Sequence, residues 1–144
     1  PERGAMLFLL FQIGADRYAV DARCVTEVLP LVHVKRIPRA PRGIAGVINY
    51  RGGPVPVIDM AEWSLGRPAT ERLSTRLLVV RLDEARHVAL CAENATESVR
   101  RPSSDFVAAG VTVADGRLLQ WVDVEKMIPP EAREALFNAV EAER

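Results

Sequence analysis

The sequence is poor in the residues from which most catalytic and metal sites are built. Its 144 residues include only two histidines and two cysteines, and Cys24 and Cys91 lie far apart, without a CxxC pair. Structural zinc needs four closely paired ligands and a disulfide framework needs several cysteines, so neither is indicated. His33 and His87 fall in predicted strands without an adjacent nucleophile. We therefore predict no catalytic residue, no metal, no cofactor, and a reducing, cytoplasmic location.

The sequence also lacks a long apolar run and an excess of charge of either sign. The apolar run at residues 6–11 is too short for a membrane-spanning helix or for the apolar part of a signal peptide. The chain has 19 basic and 19 acidic side chains and a formal net charge of zero. This balance excludes a strongly electrostatic nucleic-acid binder. Apolar residues make up 49% of the chain, which is typical of a folded globular domain.

Short apolar segments separated by turn residues predict an all-β fold. Four-residue turns at 14–17 and 83–86, and the pair Asp115-Gly116, indicate hairpins. The predicted strands are residues 7–13, 18–20, 32–37, 44–50, 55–59, 75–82, 87–92, 106–113 and 117–124. Helical segments are predicted from an Asp21 cap through residue 29, at 61–65 and at 131–143, the last with an apolar stripe of Ala132, Leu136, Ala139 and Val140. The polar residues 66–74 are the predicted linker.

The two halves of the chain align weakly with each other. The residues that align are Gly46, Val47, Gly52 and Asp59 with Gly110, Val111, Gly116 and Asp123. This repeat predicts two small barrels in tandem, with approximate subdomains 7–65 and 75–128, followed by the C-terminal helix. Asp59 and Asp123 could form an acid/base pair or could each cap the helical turn that follows. We favour capping, because nothing in the sequence implies a shared cleft.

One segment of this neutral chain carries charge of a single sign. From residue 28 to residue 58 there is no acidic side chain, whereas the segment contains Lys35, Arg36, Arg39, Arg42 and Arg51. The segment is therefore +5 and the remainder of the chain −5. Two interpretations stay open: a docking surface for an acidic partner, to which Lys35 and Arg36 would belong, or a solvated sheet edge.

Residues 41–59 carry the most specific motif of the chain. They read PRGIAGVINYRGGPVPVID and closely resemble the signature of CheW-like domains, a Gly-Val-Ile-Asn-x-Arg-Gly run followed by Pro-Val-Ile-Asp. Residues 18–21 and 25–28 are similar to the first hairpin and turn of that family. Residues 110–119 and 122–123 are similar to its closing hairpin. The resemblance extends from about residue 7 to residue 128.

The resemblance implies a fold, a function and a set of site residues. The fold would be two five-stranded SH3-like barrels packed side by side. The function would be a non-catalytic scaffold or adaptor that couples chemoreceptors to a CheA-type histidine kinase. Its partners would be the regulatory domain of the kinase and the cytoplasmic tip of a methyl-accepting chemoreceptor, without nucleic-acid binding or membrane insertion. By the motif match, Val25, Glu27, Gly46 and Arg51 fall where the family contacts these partners.

The resemblance leaves one alternative function open, and the chain departs from the family pattern in two places. The alternative is a CheW-like regulatory domain of a larger kinase or adaptor protein. Residues 89–95 read ALCAENA, where the family usually has Gly-x-x-Val-Asp-x-Val. The usual long segment before the last hairpin is reduced to residues 100–109. Both departures fall in the second half of the chain, where they would affect a partner contact.

Overall fold

Ten strands and three helices make up the described part of the chain. The structure is a computed structural model and describes residues 5–107 and 110–142. The strands are β1 Ala5–Ile13, β2 Asp16–Asp21, β3 Val25–Pro30, β4 Ile44–Tyr50, β5 Gly53–Asp59, β6 Arg76–Arg81, β7 His87–Ala92, β8 Glu97–Pro102, β9 Val111–Ala114 and β10 Arg117–Trp121. The helices are α1 Met60–Leu65, α2 Val124–Met127 and α3 Pro130–Ala142, and short 3₁₀ turns lie at Ala22–Cys24 and Ser103–Asp105.

The strands form two five-stranded sheets, which confirms the predicted all-β class. The first sheet has the order β8-β1-β2-β10-β9 and the second the order β3-β6-β7-β5-β4. The predicted division into tandem halves is wrong, because β1 and β2 pair with strands of the second half. β2 pairs in parallel with β10, and β6 and β7 join the second sheet. Residues 66–74 therefore connect two parts of one sheet and do not separate two subdomains.

Contacts across the open side of each sheet connect its two terminal strands, through the backbone in the second sheet and through a side chain in the first. In the second sheet, the segment after β3 bridges to β4 through two backbone hydrogen bonds. Lys35 N donates to Val47 O at 2.9 Å and Val47 N donates to Lys35 O at 2.8 Å. In the first sheet, Arg101 on β8 donates from Nη2 to the Val113 carbonyl of β9 at 3.4 Å. Closure leaves few unpaired strand edges, as expected for barrels.

The core consists of three apolar clusters, and one of them is shared by the two sheets. Leu77 and Val79 of β6 lie in a cluster confined to the second sheet and its loops, and Leu78 and Val80 lie in a cluster shared by both sheets. A third cluster, which includes Phe8, belongs to the first sheet. Because successive side chains of a strand point to opposite faces, both faces of β6 are buried. The continuous apolar sequence of residues 77–80 follows from this double burial.

Helix α3 completes the shared cluster. It confirms the predicted C-terminal helix over the described residues. Glu143, the predicted end of this helix, lies outside them. Of the predicted stripe, Leu136 and Val140 are buried against the shared cluster, whereas Ala132 is exposed. Arg133 donates to the Ile128 carbonyl at 2.9 Å and so fixes the start of the helix. In the described residues, no helix is long and apolar enough to cross a membrane.

Two predicted elements around β3 are wrong. Asp21 caps a turn as predicted, accepting from Arg23 N at 2.9 Å, but this turn ends at Cys24 and the predicted helix is strand β3. Inward and outward side chains alternate along β3, and its antiparallel pairing with β6 outweighs the helical spacing. The predicted strand at 32–37 is irregular and keeps only the Lys35–Val47 bridge. Pro38 and Pro41 lack the N–H groups that a longer ladder would need.

The predictions before the last hairpin also need correction. Strand β8 was not predicted, because its sequence is mostly polar and only Val99 packs against the first-sheet cluster. The strand predicted at 106–113 is shorter, since β9 starts at Val111; its residues 108 and 109, the end of the shortened segment, lie outside the described residues. The strand predicted at 117–124 ends at Trp121, because Asp123 caps α2.

The connector at residues 66–74 is irregular, as predicted, yet hydrogen bonds attach it to the second sheet. Glu93 is buried and accepts from Arg67 Nη1 at 2.8 Å and from the Thr70 backbone N–H at 2.6 Å. Asp59 accepts from the Ala69 N–H at 2.9 Å. Glu93 belongs to the segment 89–95 that departs from the family pattern. In this chain that segment therefore anchors the connector to β7.

Candidate partner-binding surface

Closure of the second sheet brings the side chain of Glu27 next to those of Tyr50 and Arg51, which are distant from it in the sequence. Glu27 lies on β3, and Tyr50 and Arg51 lie at the β4–β5 turn. Tyr50 Oη donates to Glu27 Oε1 at 2.7 Å, and Arg51 Nη2 donates to the same oxygen at 3.3 Å. The Arg51 guanidinium also lies 5.1 Å from the centroid of the Tyr50 ring. We refer to these residues as the Glu27–Tyr50–Arg51 cluster.

The cluster is arranged by a tight turn. Tyr50 pairs with Gly53 across the hairpin, so Arg51 and Gly52 are the two turn residues. Their φ values are +50° and +81°, and two positive values define a type I′ turn. Arginine is an uncommon residue at positive φ, since its Cβ crowds the backbone there. The turn holds the Arg51 backbone in this conformation. The Arg51 side chain extends over the Tyr50 ring towards Glu27.

The cluster is accessible to a partner, and its ion pair contributes little to stability. The Arg51 side chain is 70% exposed and that of Glu27 is 40% exposed; exposed ion pairs contribute about 0–1 kcal/mol to folding. The hydrogen bond to Glu27 raises the pKa of Tyr50 above its ordinary value. The surface thus offers a carboxylate, a neutral phenol and a guanidinium side by side.

Val25 and Gly46, two other predicted site residues, lie beneath this surface. Val25 is half-buried and packs against the shared cluster. Gly46 is buried below the loop at Lys35, and a Cβ at Gly46 would overlap the Lys35 carbonyl oxygen. It would also stand 2.8 Å from the Lys35 carbonyl carbon. The absence of a side chain at residue 46 is therefore what allows the chain after β3 to bridge to β4.

The remaining predicted residues, Lys35 and Arg36, are exposed on the irregular segment 31–43. Arg39 and Arg42 are exposed on the same segment, which we call the cationic loop. Lys35 pairs with Val47 on β4, three residues before Tyr50. Three residues of a strand span about 10 Å, so the loop lies near the Glu27–Tyr50–Arg51 cluster. Four of the predicted residues therefore lie near the closure of the second sheet. Glu27 and Arg51 belong to the cluster, and Lys35 and Arg36 belong to the loop.

Sequence reasoning did not identify the groove beside the cluster. A groove of about 540 Å³ runs between Tyr50, Arg51 and the second half of α3, where Phe137 and Asn138 line it. The Arg86 guanidinium also lines the groove and lies 4.9 Å from the centroid of the Phe137 ring. Helical spacing predicted the apolar stripe of α3, but no signal in the sequence indicates which strand the helix lies against.

Other polar groups have structural roles. Asp59 accepts from Ala61 N at 3.0 Å and Asp123 accepts from Glu125 N at 3.0 Å, which confirms both as helix caps. Burial raises the pKa of the Cys91 thiol to about 12, whereas Cys24 is exposed. In the two described ranges, no group of three or more His, Cys, Asp or Glu side chains could hold a metal ion.

Two closed five-stranded sheets that share one core, with a mixed charged and aromatic surface at one closure, define a β-barrel interaction module. The family model described as "CheW-like domain" matches residues 7–131. The chain therefore belongs to the CheW-like domain family.

Several known proteins are similar to the chain over most of its length. The chemotaxis protein CheW of Rhizobium meliloti is 26% identical over 92% of this chain and 93% of its own. That of Thermotoga maritima is 27% identical over 83% of this chain and 85% of its own. The solved structure of the scaffolding protein TtCheW from Thermoanaerobacter tengcongensis has a TM-score of 0.80 at 21% identity, covering 96% of both chains. The fold is accordingly two five-stranded SH3-like barrels, as the resemblance implies.

Proposed function

We propose that this chain is a non-catalytic adaptor that couples chemoreceptors to a CheA-type histidine kinase in a chemosensory pathway. Membership of the CheW-like domain family supports the proposal, as do curated relatives named chemotaxis protein CheW. An adaptor of this kind would work in the cytoplasm, at receptor arrays on the inner face of the membrane. Its partners would be the kinase regulatory domain and the cytoplasmic tip of a methyl-accepting chemoreceptor. The relatives' names favour this function over the alternative of a kinase regulatory domain.

The Glu27–Tyr50–Arg51 cluster is the observation that carries the proposal. It offers paired charges of both signs, Glu27 on strand β3 and Arg51 on a fixed turn, and the exposed ion pair adds little to folding if a partner competes for it. An arginine can bind a carboxylate through two parallel hydrogen bonds, which gives both affinity and orientation. We assign direct partner contact to Glu27 and Arg51. Val25 and Gly46 would position the strands beneath them, and Lys35 and Arg36 would act from the neighbouring loop.

Reconstitution with the kinase and a receptor from the same organism tests the function. Added to kinase and receptor-containing membranes, the chain should raise the rate of kinase autophosphorylation above that of the two components alone. A regulatory domain acting only as part of a larger kinase would give no stimulation when added separately. Unchanged phosphorylation together with no measurable binding to either partner would refute the adaptor function.

The Arg51→Ala variant tests the site within that assay. Losing a charge-assisted contact should weaken partner binding about tenfold, or about 1.4 kcal/mol. The thermal midpoint should change little, because exposed pairs contribute about 0–1 kcal/mol. Arg117→Ala is the matched control, since Arg117 is also an exposed arginine beside a hairpin turn. Equal binding by both variants, or a strongly destabilised Arg51 variant, would show that Arg51 is not a partner contact.

A further inference from the structure

The backbone of the cationic loop is held in place although it has no regular secondary structure. Val34 packs against the second-sheet cluster and Ile37 against the shared cluster. Ala40 N donates to the Ile37 carbonyl at 3.2 Å and Ile44 N to the Pro41 carbonyl at 3.0 Å, which closes two turns. The paired bonds between Lys35 and Val47 attach the loop to β4. The positions from which its cations extend are therefore fixed before any partner binds.

Three arginines of the loop carry charge that no carboxylate pairs with in the described residues. Arg36, Arg39 and Arg42 are exposed, and over residues 5–107 and 110–142 they make no ion pair. By contrast, Arg51 pairs with Glu27, Arg67 with Glu93 and Arg86 with Asp83. Three neighbouring arginines without ion-pair partners create a local positive potential, even on a chain whose formal net charge is zero.

The surroundings of the loop fit an acidic protein segment better than they fit a uniform polyanion such as a nucleic acid. Val28 on β3 is 45% exposed and Val32 in the loop itself is 43% exposed, so apolar contact area lies close to the cations. The carboxylate of Glu27 lies on the adjacent cluster and would repel a uniform polyanion. Within residues 31–43 there is no Phe, Tyr or Trp between the cations on which successive bases of a single-stranded nucleic acid could stack. Charge complementarity and proximity to the cluster therefore favour an acidic, partly apolar protein segment.

We propose that the cationic loop docks an acidic segment of the same protein partner that contacts the Glu27–Tyr50–Arg51 cluster, and that it accelerates association. This inference rests on the proposed function, and it adds Arg39 and Arg42 to the site and specifies the chemistry of the partner. The loop attracts the acidic segment at long range, whereas the cluster and the valines form the short-range contacts. Long-range attraction acts mainly on the association rate, and short-range contacts act mainly on dissociation.

Stopped-flow kinetics with two purified probes, the kinase regulatory domain and a receptor-tip fragment, test this division of roles. The loop variant replaces Lys35, Arg36, Arg39 and Arg42 together by Gln. With one of the probes, its association rate should be about tenfold below that of the unmodified chain at about 50 mM salt. The difference should disappear near 500 mM, where the Debye length falls to about 4 Å. Dissociation rates should agree within about twofold at both salt concentrations.

Two controls separate this inference from its alternatives. The Arg100→Gln/Arg117→Gln variant removes exposed arginines on β8 and β10 and should keep the association rate of the unmodified chain. Arg51→Ala should accelerate dissociation and keep the salt dependence of association. Sedimentation with phosphatidylglycerol-containing vesicles checks for a membrane surface, and vesicle binding that is lost in the loop variant would overturn the inference.

The outcomes also distinguish a failure of the loop inference from a failure of the proposed function. If the unmodified chain binds a probe and the loop variant associates as fast as the Arg100/Arg117 control, the loop inference is refuted and the proposed function stands. If the unmodified chain binds neither probe, the proposed function is refuted, and the loop inference falls with it.

Discussion

Replacing Gly46 by alanine tests whether this residue contacts a partner or supports the fold. Gly46 is buried, and an added Cβ would overlap the Lys35 carbonyl oxygen and stand 2.9 Å from Val34 Cγ1. The carbonyl belongs to the bridge that closes the second sheet. Because backbone cannot rotate away as a flexible side chain can, the bridge must separate to admit the methyl group.

The expected destabilisation follows from two contributions. Overpacking a well-packed site costs about 1–3 kcal/mol. Weakening the two hydrogen bonds between Lys35 and Val47 costs about 0.5–1.5 kcal/mol each. Together they predict a loss of about 2–6 kcal/mol in the free energy of unfolding. For a chain of this length, that loss lowers the thermal midpoint by roughly 7–20 °C.

Urea unfolding and a thermal scan measure this loss, and Gly116→Ala is the control. Gly116 has a φ of +75° and open space around its Cβ position. Alanine at residue 116 should therefore lower the free energy of unfolding only through its backbone conformation, by about 1 kcal/mol. Gly46→Ala should be clearly less stable than Gly116→Ala. If Gly46→Ala is as stable as the unmodified chain and still fails to bind a partner, Gly46 is a direct contact and the packing argument is wrong.

Two further predictions concern buried groups. With a thiol reagent, the native protein should be labelled once, at exposed Cys24, whereas Cys91, whose pKa is about 12, should react only on unfolding; a Cys24→Ala variant that is still labelled rapidly would contradict this. The hydrogen bond from Arg67 lowers the pKa of Glu93 below its usual 4.5. Glu93 should therefore stabilise the fold above about pH 4.5 and lose this contribution as the pH falls through its folded pKa. Glu93→Gln should cost about 1–3 kcal/mol at pH 7 and make stability less dependent on pH below 4.5; an unchanged pH profile in urea unfolding would refute this.

Local sequence signals predicted the local structure well. The hairpins β1–β2, β6–β7 and β9–β10 follow from short apolar runs joined by turn residues, and all three form. The capping roles of Asp59 and Asp123 follow from a carboxylate placed just before a helical turn. In each case the interacting residues are close in sequence, so one pattern specifies both partners.

Pairings between distant parts of the chain could not be predicted in this way. β2 and β10 pair in parallel through Ala19 and Trp121, and β5 and β7 pair in parallel through Val57 and Ala89. A strand's alternation records which of its faces is buried but not which strand lies beside it. The similar patterns of the two halves therefore suggested tandem barrels, whereas the N-terminal hairpin belongs with the C-terminal strands.

The candidate site also depends on a pairing between distant parts of the chain that local sequence patterns do not predict. In this site, effects on partner binding can be separated from effects on stability. The sequence placed Glu27 and Arg51 in the site only through a family motif, and their ion pair exists because the second sheet closes. Gly46 makes that closure possible, so its substitution should disturb stability and binding together. Arg51 lies on the outer side of the closed sheet and is 70% exposed. Its substitution should therefore change binding alone, and the contrast between these two variants distinguishes the support of the site from its contact surface.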